Sequence, residues 1–378
     1  VDSVKGLYRK LIEKKEVDPI IMDYLATDRL TSKIGEPFRQ VYKDIFKQHF
    51  EGLEKSQPIE KNCRLSIVLP AYREEDLIEE TLRSLAEQKD IDFDKFEVIL
   101  LVNYPGDKEP SIPDIFDEKS GSVIEKHDDK TEEIARGFAE NHPDLRLRII
   151  KQNFPVKVAG VGIAAKLGMD LAMKRQQFNP GIISYYGAET TFGENFVKGL
   201  IDSFADGQTE AVQGRINKIS YYKKVVEEVG GKQVEKTLTD LEIDKIVKLA
   251  SKMRDYILLL HDFEEIHGTG ATERAGISNL TAQKYAEIAG MNAQKIGEDW
   301  QMAQDIMNVQ KREVKKVSPP GVEITIWGRI SEPRTGDGSF TDLLWKSYQF
   351  LECSTEDKTE GPLVENPYMR LATIQLRV

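Results

Sequence analysis

Two apolar runs that break off abruptly at polar loops organise the first half of the chain. Leu65 to Leu69 is apolar apart from Ser66, the pattern of an interior parallel strand covered on both faces. Pro70 ends it. Ala71, Tyr72, Arg73, Glu74 and Glu75 then set an aromatic ring and charges at the strand's carboxyl end, where open α/β sheets build ligand sites. Asp76 to Gln88 follows as an amphipathic helix with Leu77, Ile78, Leu82 and Leu85 on one face. Phe96 to Val102 repeats the motif: a continuous apolar strand that stops at Asn103, Tyr104, Pro105, Gly106 and Asp107. Two successive buried strands ending in polar loops predict a nucleotide site shared between neighbouring strand ends.

Elsewhere the patterning is mostly helical. Residues 1 to about 60 place Leu7, Leu11, Ile12, Ile20, Ile21, Tyr24 and Leu25, then Phe38, Val41, Tyr42, Ile45, Phe46 and Phe50, at helical spacing. These helices read as a brace packed against the domain that begins at the first apolar strand. Asp107 to His142 is a charged connection with a helix near Lys130 to Glu140, and Leu147 to Lys151 is a short strand. Gly160 and Gly162 lead into a helix with Ile163, Leu167 and Leu171 on one face. Tyr221 to Ile266 reads as a helical hairpin broken at Gly230-Gly231. Its apolar face has three uses open to it: core packing, cover over a site, or a homodimer contact. Gly276 to Asn279 leads into a helix ending at Gly290-Met291, Gly297-Glu298-Asp299-Trp300 opens another, and Ile324 to Arg329 is a strand before the glycine-rich loop Ser331 to Ser339.

Taken in order, these segments resemble the GT-A glycosyltransferases, and among them glycosyltransferase family 2. The resemblance implies an α/β fold, Rossmann-like, with a mostly parallel sheet flanked by helices, an N-terminal helical extension and an inserted helical hairpin. It implies a catalytic domain over 61–345 interrupted at 221–266, after an extension over 1–60 and before a C-terminal segment at 346–378. In that family the loop Pro70-Ala71-Tyr72-Arg73-Glu74 lies against the nucleoside of the donor, and Asn103 stands where an acidic residue commonly hydrogen-bonds the base. An amide both donates and accepts, so base contact is retained. Lys166 matches a basic position beside the diphosphate.

The family's Asp-x-Asp metal triplet falls at Gly187-Ala188-Glu189. Oxygen ligands suit Mg²⁺ or Mn²⁺, and Mg²⁺ commonly uses one or two protein carboxylates with phosphates and waters, which leaves Glu189 as a single direct ligand. His267, beside Gly268 and Gly270, is a candidate for a downstream ligand. The acidic pair Glu298-Asp299 matches the acceptor side, where the resemblance makes Asp299 the general base, with Glu298 orienting the acceptor or the base. Arg334, in the glycine-rich loop, is a candidate contact to phosphate or acceptor.

Composition narrows the partners. With 378 residues, 31% charged and 40% hydrophobic, the chain has the make-up of a globular protein large enough for one catalytic domain with additions. A net charge of −11 argues against nucleic acid, whose binding rests on neutralising phosphates. No apolar run approaches the ~20 residues of a membrane span. Two distant cysteines, Cys63 and Cys353, fit a reducing cytoplasm. The expected activity is transfer of a sugar from a UDP- or GDP-linked donor to an acceptor hydroxyl with inversion. Two rivals keep the fold: a sugar-phosphate nucleotidyltransferase, and a degenerate domain that binds a sugar nucleotide or a partner without turnover, as Gly187 and Asn103 suggest.

Overall fold

The computed structural model describes residues 18–105, 115–116, 123–124, 129–155, 158–213, 215–221, 224–229, 232–250, 277–293, 301–302, 305–306, 309 and 322–328. In chain order the elements are α1 (Pro19–Ala26), α2 (Arg39–Ser56), β1 (Leu65–Ala71), α3 (Ile78–Ala86), β2 (Phe96–Pro105), β3 (Ile115–Phe116), β4 (Val123–Ile124), α4 (Thr131–Asn141), β5 (Leu147–Phe154), α5 (Val161–Arg175), β6 (Ile182–Tyr185), β7 (Thr190–Phe192), α6 (Phe196–Ser203), β8 (Ala211–Gln213), β9 (Arg215–Tyr221), β10 (Lys224–Val229), β11 (Lys232–Thr237), β12 (Ile277–Thr281), α7 (Ala282–Glu287) and β13 (Glu323–Gly328). The chain divides into two compact units, 1–217 with 274–325, and 218–273 with 326–378. No helix among the described residues is long and apolar enough to cross a membrane.

The first unit is built on a six-stranded sheet in the order β5-β2-β1-β6-β12-β8. β5, β2, β1 and β6 run parallel, β12 is antiparallel to β6, and β8 is antiparallel to β12. All seven residues of β1 are buried, as a run apolar apart from Ser66 requires. The chain lays β1, β2 and β5 outward in one direction, then returns to set β6 on the other side of β1. For right-handed crossovers this return puts α5 on the face opposite α3 and α4. It also makes a topological switch point between β1 and β6, where an open sheet leaves a crevice at the carboxyl ends of its strands. The sequence pattern revealed neither β8 nor β12: residues at 277–281, expected as the approach to a helix, pair between β6 and β8 before α7 begins.

Ser66, the one polar residue in β1, has a local reason. It stands opposite Glu97 in register and donates to Glu97 Oε1 at 3.0 Å. Arg175, at the end of α5, donates to the same carboxylate at 2.8 Å and to Gln57 O at 3.0 Å. This buried network ties the amino ends of β1 and β2 to α5 and to the end of α2.

α5 packs across β1, β2 and β6, and α1 and α2 lie against it. A Cβ on Gly168 would fall on the Val68 side chain, so the close approach of helix and sheet there depends on glycine. With both faces covered, its polar side chains must be satisfied inside the protein. Asp170 is fully buried. Its carboxylate accepts from Tyr24 Oη (2.8 Å), Tyr42 Oη (2.6 Å), Tyr285 Oη (2.8 Å) and Lys166 Nζ (3.0 Å). Lys166 also donates to Tyr24 Oη at 2.9 Å. Burial, and then the Asp170 charge, hold all three phenols well above their usual pKa, while burial lowers that of Lys166 against the pull of Asp170.

This corrects the expected role of Lys166. It is fully buried and bound to the carboxylate one helical turn away, so its ammonium is committed to the core and does not face a diphosphate.

The N-terminal helices enter the core through Ile21, Tyr24, Phe38, Tyr42, Phe46 and Leu53. Asp18 caps α1 by accepting from Ile20 N and Ile21 N (2.8 and 3.2 Å), with Pro19 at the first helical position. Arg29 Nη2 donates to the last carbonyls of α7, those of Ala286 and Glu287, both at 3.0 Å. Lys33 Nζ donates to Gly290 O at 2.7 Å and pairs with Asp305. Gly290 itself has φ +75°, and a Cβ there would fall on the Tyr24 hydroxyl, so that turn admits only glycine.

In the second unit, β10 and β11 pair antiparallel from Lys224↔Thr237 to Val229↔Lys232. The first part of the expected helical hairpin is therefore a β-hairpin. Val225, Val226, Val229 and Val234 suit strands, and Gly230-Gly231 between the paired segments is a two-residue hairpin signal. A helix does follow over 240–250, burying Ile243, Ile246, Leu249 and Ala250. Residues 1–17, 251–276 and 346–378 lie outside the described residues.

This packing has two measurable consequences. Asp170→Ala leaves a buried ammonium and three buried phenols without their common acceptor and should cost roughly 3–5 kcal/mol, read from the urea midpoint at constant m-value. His49 Nε2 lies 2.7 Å from Gln152 Oε1 on β5, and burial lowers the imidazole's pKa despite that bond. Between this lowered value and the ordinary value of about 6.5 the unfolded chain binds more protons. The stability associated with neutral His49 is thus complete above about pH 6.5 and is lost as pH falls through the folded value. Thermal melts from neutral to acidic pH should show a shallower decline for His49→Gln than for the unaltered protein, and parallel curves would refute the assignment.

Candidate functional site

Register brings the loops of three strands to one edge. Ala71 pairs with Val102, so Asn103 stands one residue beyond the end of β1, opposite Gln152 on β5. On the other side the pairing of β1 with β6 closes at Val68↔Tyr185, with Tyr186 N donating to Val68 O at 3.1 Å. Residues 72–75, Asn103 and 187–189 therefore share the carboxyl edge, on either side of the switch point.

Pro70 fits this edge for a specific reason. Successive residues of a strand turn their backbone groups to alternate neighbours, and Val68 turns its carbonyl to β6. Two positions on, Pro70 faces the same side, past the last β1–β6 pair. Its missing N–H costs no ladder bond there, and the two strands part.

The first loop is held from a distance. Arg73 has φ +57°, a left-handed conformation unusual for a residue with a side chain. Its N–H donates to Asp129 Oδ2 at 3.1 Å, and the next amide, of Glu74, donates to Thr131 Oγ1 at 2.8 Å. Asp129 Oδ1 in turn accepts from Thr131 N at 2.8 Å. Burial works to raise the Asp129 carboxyl, but the hydrogen bonds with Thr131, the Glu75 side chain and the Arg73 amide outweigh it and hold it below the ordinary carboxylate range. The Arg73 guanidinium lies 5.6 Å from the centre of the Tyr72 ring.

The loop after β6 is held as firmly. Tyr186 is buried edge-on against Phe192 and Phe196, at 5.3 and 5.5 Å between centroids. Asn279 on β12 accepts from Ser184 Oγ (2.7 Å) and donates to Tyr186 Oη (2.8 Å) and Val212 O (2.9 Å). Ala188 is buried, and its carbonyl accepts from Thr81 Oγ1 at 2.6 Å. Thr190 N closes a turn on Gly187 O at 3.1 Å.

The altered triplet has internal logic. A Cβ on Gly187 would fall on the Glu189 carboxylate. The glycine leaves the space that the longer glutamate folds into, so the two departures from Asp-x-Asp accommodate each other. For a divalent cation, this edge offers one carboxylate from the triplet. Among the described residues no three His, Cys, Asp or Glu side chains converge on a common point. That donor set fits a cation which takes its remaining oxygens from phosphate and water.

Pro70, Ala71, Tyr72, Glu74, Asn103, Gly187, Ala188 and Glu189 are thus collected at one edge, and Lys166 is not. Glu298, Asp299, His267 and Arg334 lie outside the described residues. The sequence pattern gave no role to Asp129, Thr131, Thr81 and Asn279. The first two carried a signal, an Asp-x-Thr ahead of an amphipathic helix, but nothing in it pointed to a loop more than fifty residues upstream.

Several solved structures are similar to this chain at low identity. Mannosyltransferase PcManGT from Pyrobaculum calidifontis, solved with GDP-Man and Mn²⁺, is 16% identical over 95% of this chain and 82% of its own, with a TM-score of 0.41. S. aureus TarS 1-349 in complex with UDP is 13% identical over 80% of this chain and 75% of its own, at 0.38. Its complex with UDP-GlcNAc aligns at 13% identity over 83% and 66%, at 0.36. At these scores the likeness adds nothing to the topology of the sheet. No curated protein sequence matches the chain. Residues 66–120 do match the family model described as Glycosyl transferase family 2, a stretch that carries β1, α3 and β2 with the first loop and Asn103.

Proposed function

We propose that this protein is a GT-A glycosyltransferase that moves a sugar from a UDP- or GDP-linked donor to an acceptor hydroxyl with inversion. The observation that carries the reading is the meeting of the first loop, Asn103 and Gly187-Ala188-Glu189 at the switch point of a sheet whose first two strands match family 2. In this reading Tyr72 and Glu74 flank the nucleoside, Asn103 meets the base, and Glu189 is the protein ligand to a divalent cation. That cation, when bound, supplies positive charge to the diphosphate. Asp299 takes the proton of the acceptor hydroxyl as its oxygen attacks the anomeric carbon, the bond from that carbon to the phosphate oxygen breaks, and the diphosphate leaves. Glu298 orients the acceptor. By sequence, His267 and Arg334 are the further candidates for a metal ligand and a phosphate contact.

Calorimetric titration with UDP, GDP and their common sugar conjugates in Mn²⁺, Mg²⁺ or EDTA tests the donor half. One nucleoside diphosphate should bind in a metal-dependent way, and Glu189→Gln should bring its affinity in Mn²⁺ down to that in EDTA. Absence of nucleotide binding would refute the reading. For the chemistry, Asp299→Asn should reduce transfer by about 10²–10⁴-fold with donor affinity preserved, and retained turnover would remove Asp299 from its role. Release of pyrophosphate from a nucleoside triphosphate and a sugar phosphate would favour the nucleotidyltransferase. Donor binding with neither transfer nor slow hydrolysis across an acceptor panel would favour the non-catalytic reading that Gly187 raises.

A further inference from the structure

We propose that Asp129 and Thr131 are positioning residues whose function is to hold Arg73 in its left-handed conformation and so aim Tyr72 and Glu74 at the crevice between β1 and β6; this deepens the donor-site reading and rests on it. A side-chain-bearing residue at φ +57° is disfavoured relative to glycine, and such a conformation persists only where its surroundings over-determine it. Here the surroundings are specific. The two amides that flank the Arg73 Cα–C unit, Arg73 N and Glu74 N, are taken by two different side chains of one short segment. That segment is itself cross-tied: Asp129 Oδ2 takes the Arg73 amide, Oδ1 takes the amide and hydroxyl of Thr131, and the carboxylate also hydrogen-bonds the Glu75 side chain.

The anchor of this arrangement is α4, which begins at Thr131 and buries Ala135 and Phe138. The loop's conformation is thereby set by a helix more than fifty residues further along the chain, and is not left to local preference. Fixing the Arg73 backbone also fixes where its guanidinium sits against the Tyr72 ring. If Asp129 served only as a helix cap for α4, its removal would lower stability and leave the loop's ligand contacts alone. A positioning role predicts something a cap does not: the loss should be repaired at residue 73.

The test is a substitution cycle read by calorimetric affinity for UDP and GDP. Asp129→Ala should weaken binding by about tenfold, the factor that corresponds to roughly 1.4 kcal/mol. Adding Arg73→Gly, which removes the conformational penalty, should recover most of that loss, whereas adding Arg73→Ala, which removes the same side chain but keeps the penalty, should not. Thr131→Val should weaken binding and Thr131→Ser, which keeps the hydroxyl, should not; this pair carries the test if Asp129→Ala fails to fold. Unchanged affinity in Asp129→Ala and Thr131→Val, or equal repair by glycine and alanine, overturns the proposal. Failure of the unaltered protein to bind either nucleotide strikes the donor-site reading instead. In that case hydrogen exchange at the Arg73 and Glu74 amides decides the loop contacts without a ligand: protection released by Asp129→Ala and Thr131→Val supports them, and fast exchange in the unaltered protein refutes them.

Discussion

The packing of the first unit turns on one carboxylate. Asp170 sits in a helix covered by the sheet on one side and by the N-terminal helices on the other, and an ionised group in that position persists only with a full set of donors. Those donors come from α1, α2 and α7 as well as from α5 itself. An N-terminal pair of helices that looks like an addition to a common core is therefore chemically part of it. Arg29 and Lys33 extend the same dependence to the carbonyls at the end of α7 and to Gly290 and Asp305. Removing the helices would expose apolar surface and also strand a buried charge, which is the costlier consequence.

At the opposite edge the controlling constraint is a missing donor. A proline in the middle strand of a sheet ordinarily breaks a ladder, yet Pro70 sits where the neighbour on its hydrogen-bonding side has already turned away. The parting of β1 and β6 and the polar loop after Pro70 are two results of one residue. Asn279 and Thr81 then fix the other bank of the crevice, through Tyr186 and the Ala188 carbonyl. Rigid elements thus set both banks, as a site needing sub-ångström placement requires.

How much of this was readable in advance depended on whether the controlling interaction was local. β1, β2, α3 and α4 were legible because burial on both faces leaves a continuous apolar run and burial on one leaves a stripe. The strands at 224–237 were hidden by their Glu and Lys content, which resembles a solvated helix unless the Gly-Gly pair is given more weight than the composition. Lys166 was misplaced because its spacing from the glycines is a family feature, while its fate is set by three tyrosines contributed from distant helices. Asp129 and Arg73 illustrate the same limit: each is ordinary in its own segment, and only the fold puts the carboxylate against the amide.

With Lys166 committed to Asp170, the charge balance of the candidate site changes in a way that bears on the altered triplet. Register brings Glu74 and Glu189 to this edge with Arg73, and in the proposed reading a diphosphate among them adds further negative charge. In the proposed reading, like charges at short separation and reduced dielectric repel, and a bound cation would offset them alongside Arg73 and Arg334. Glu189, folded into the space that Gly187 leaves, is placed to help hold one. In that reading Gly187 leaves Glu189 as the one carboxylate of the triplet for a metal. The phosphates would supply further ligands, so that cation and donor would bind as a single unit, each supplying ligands or charge that the other lacks.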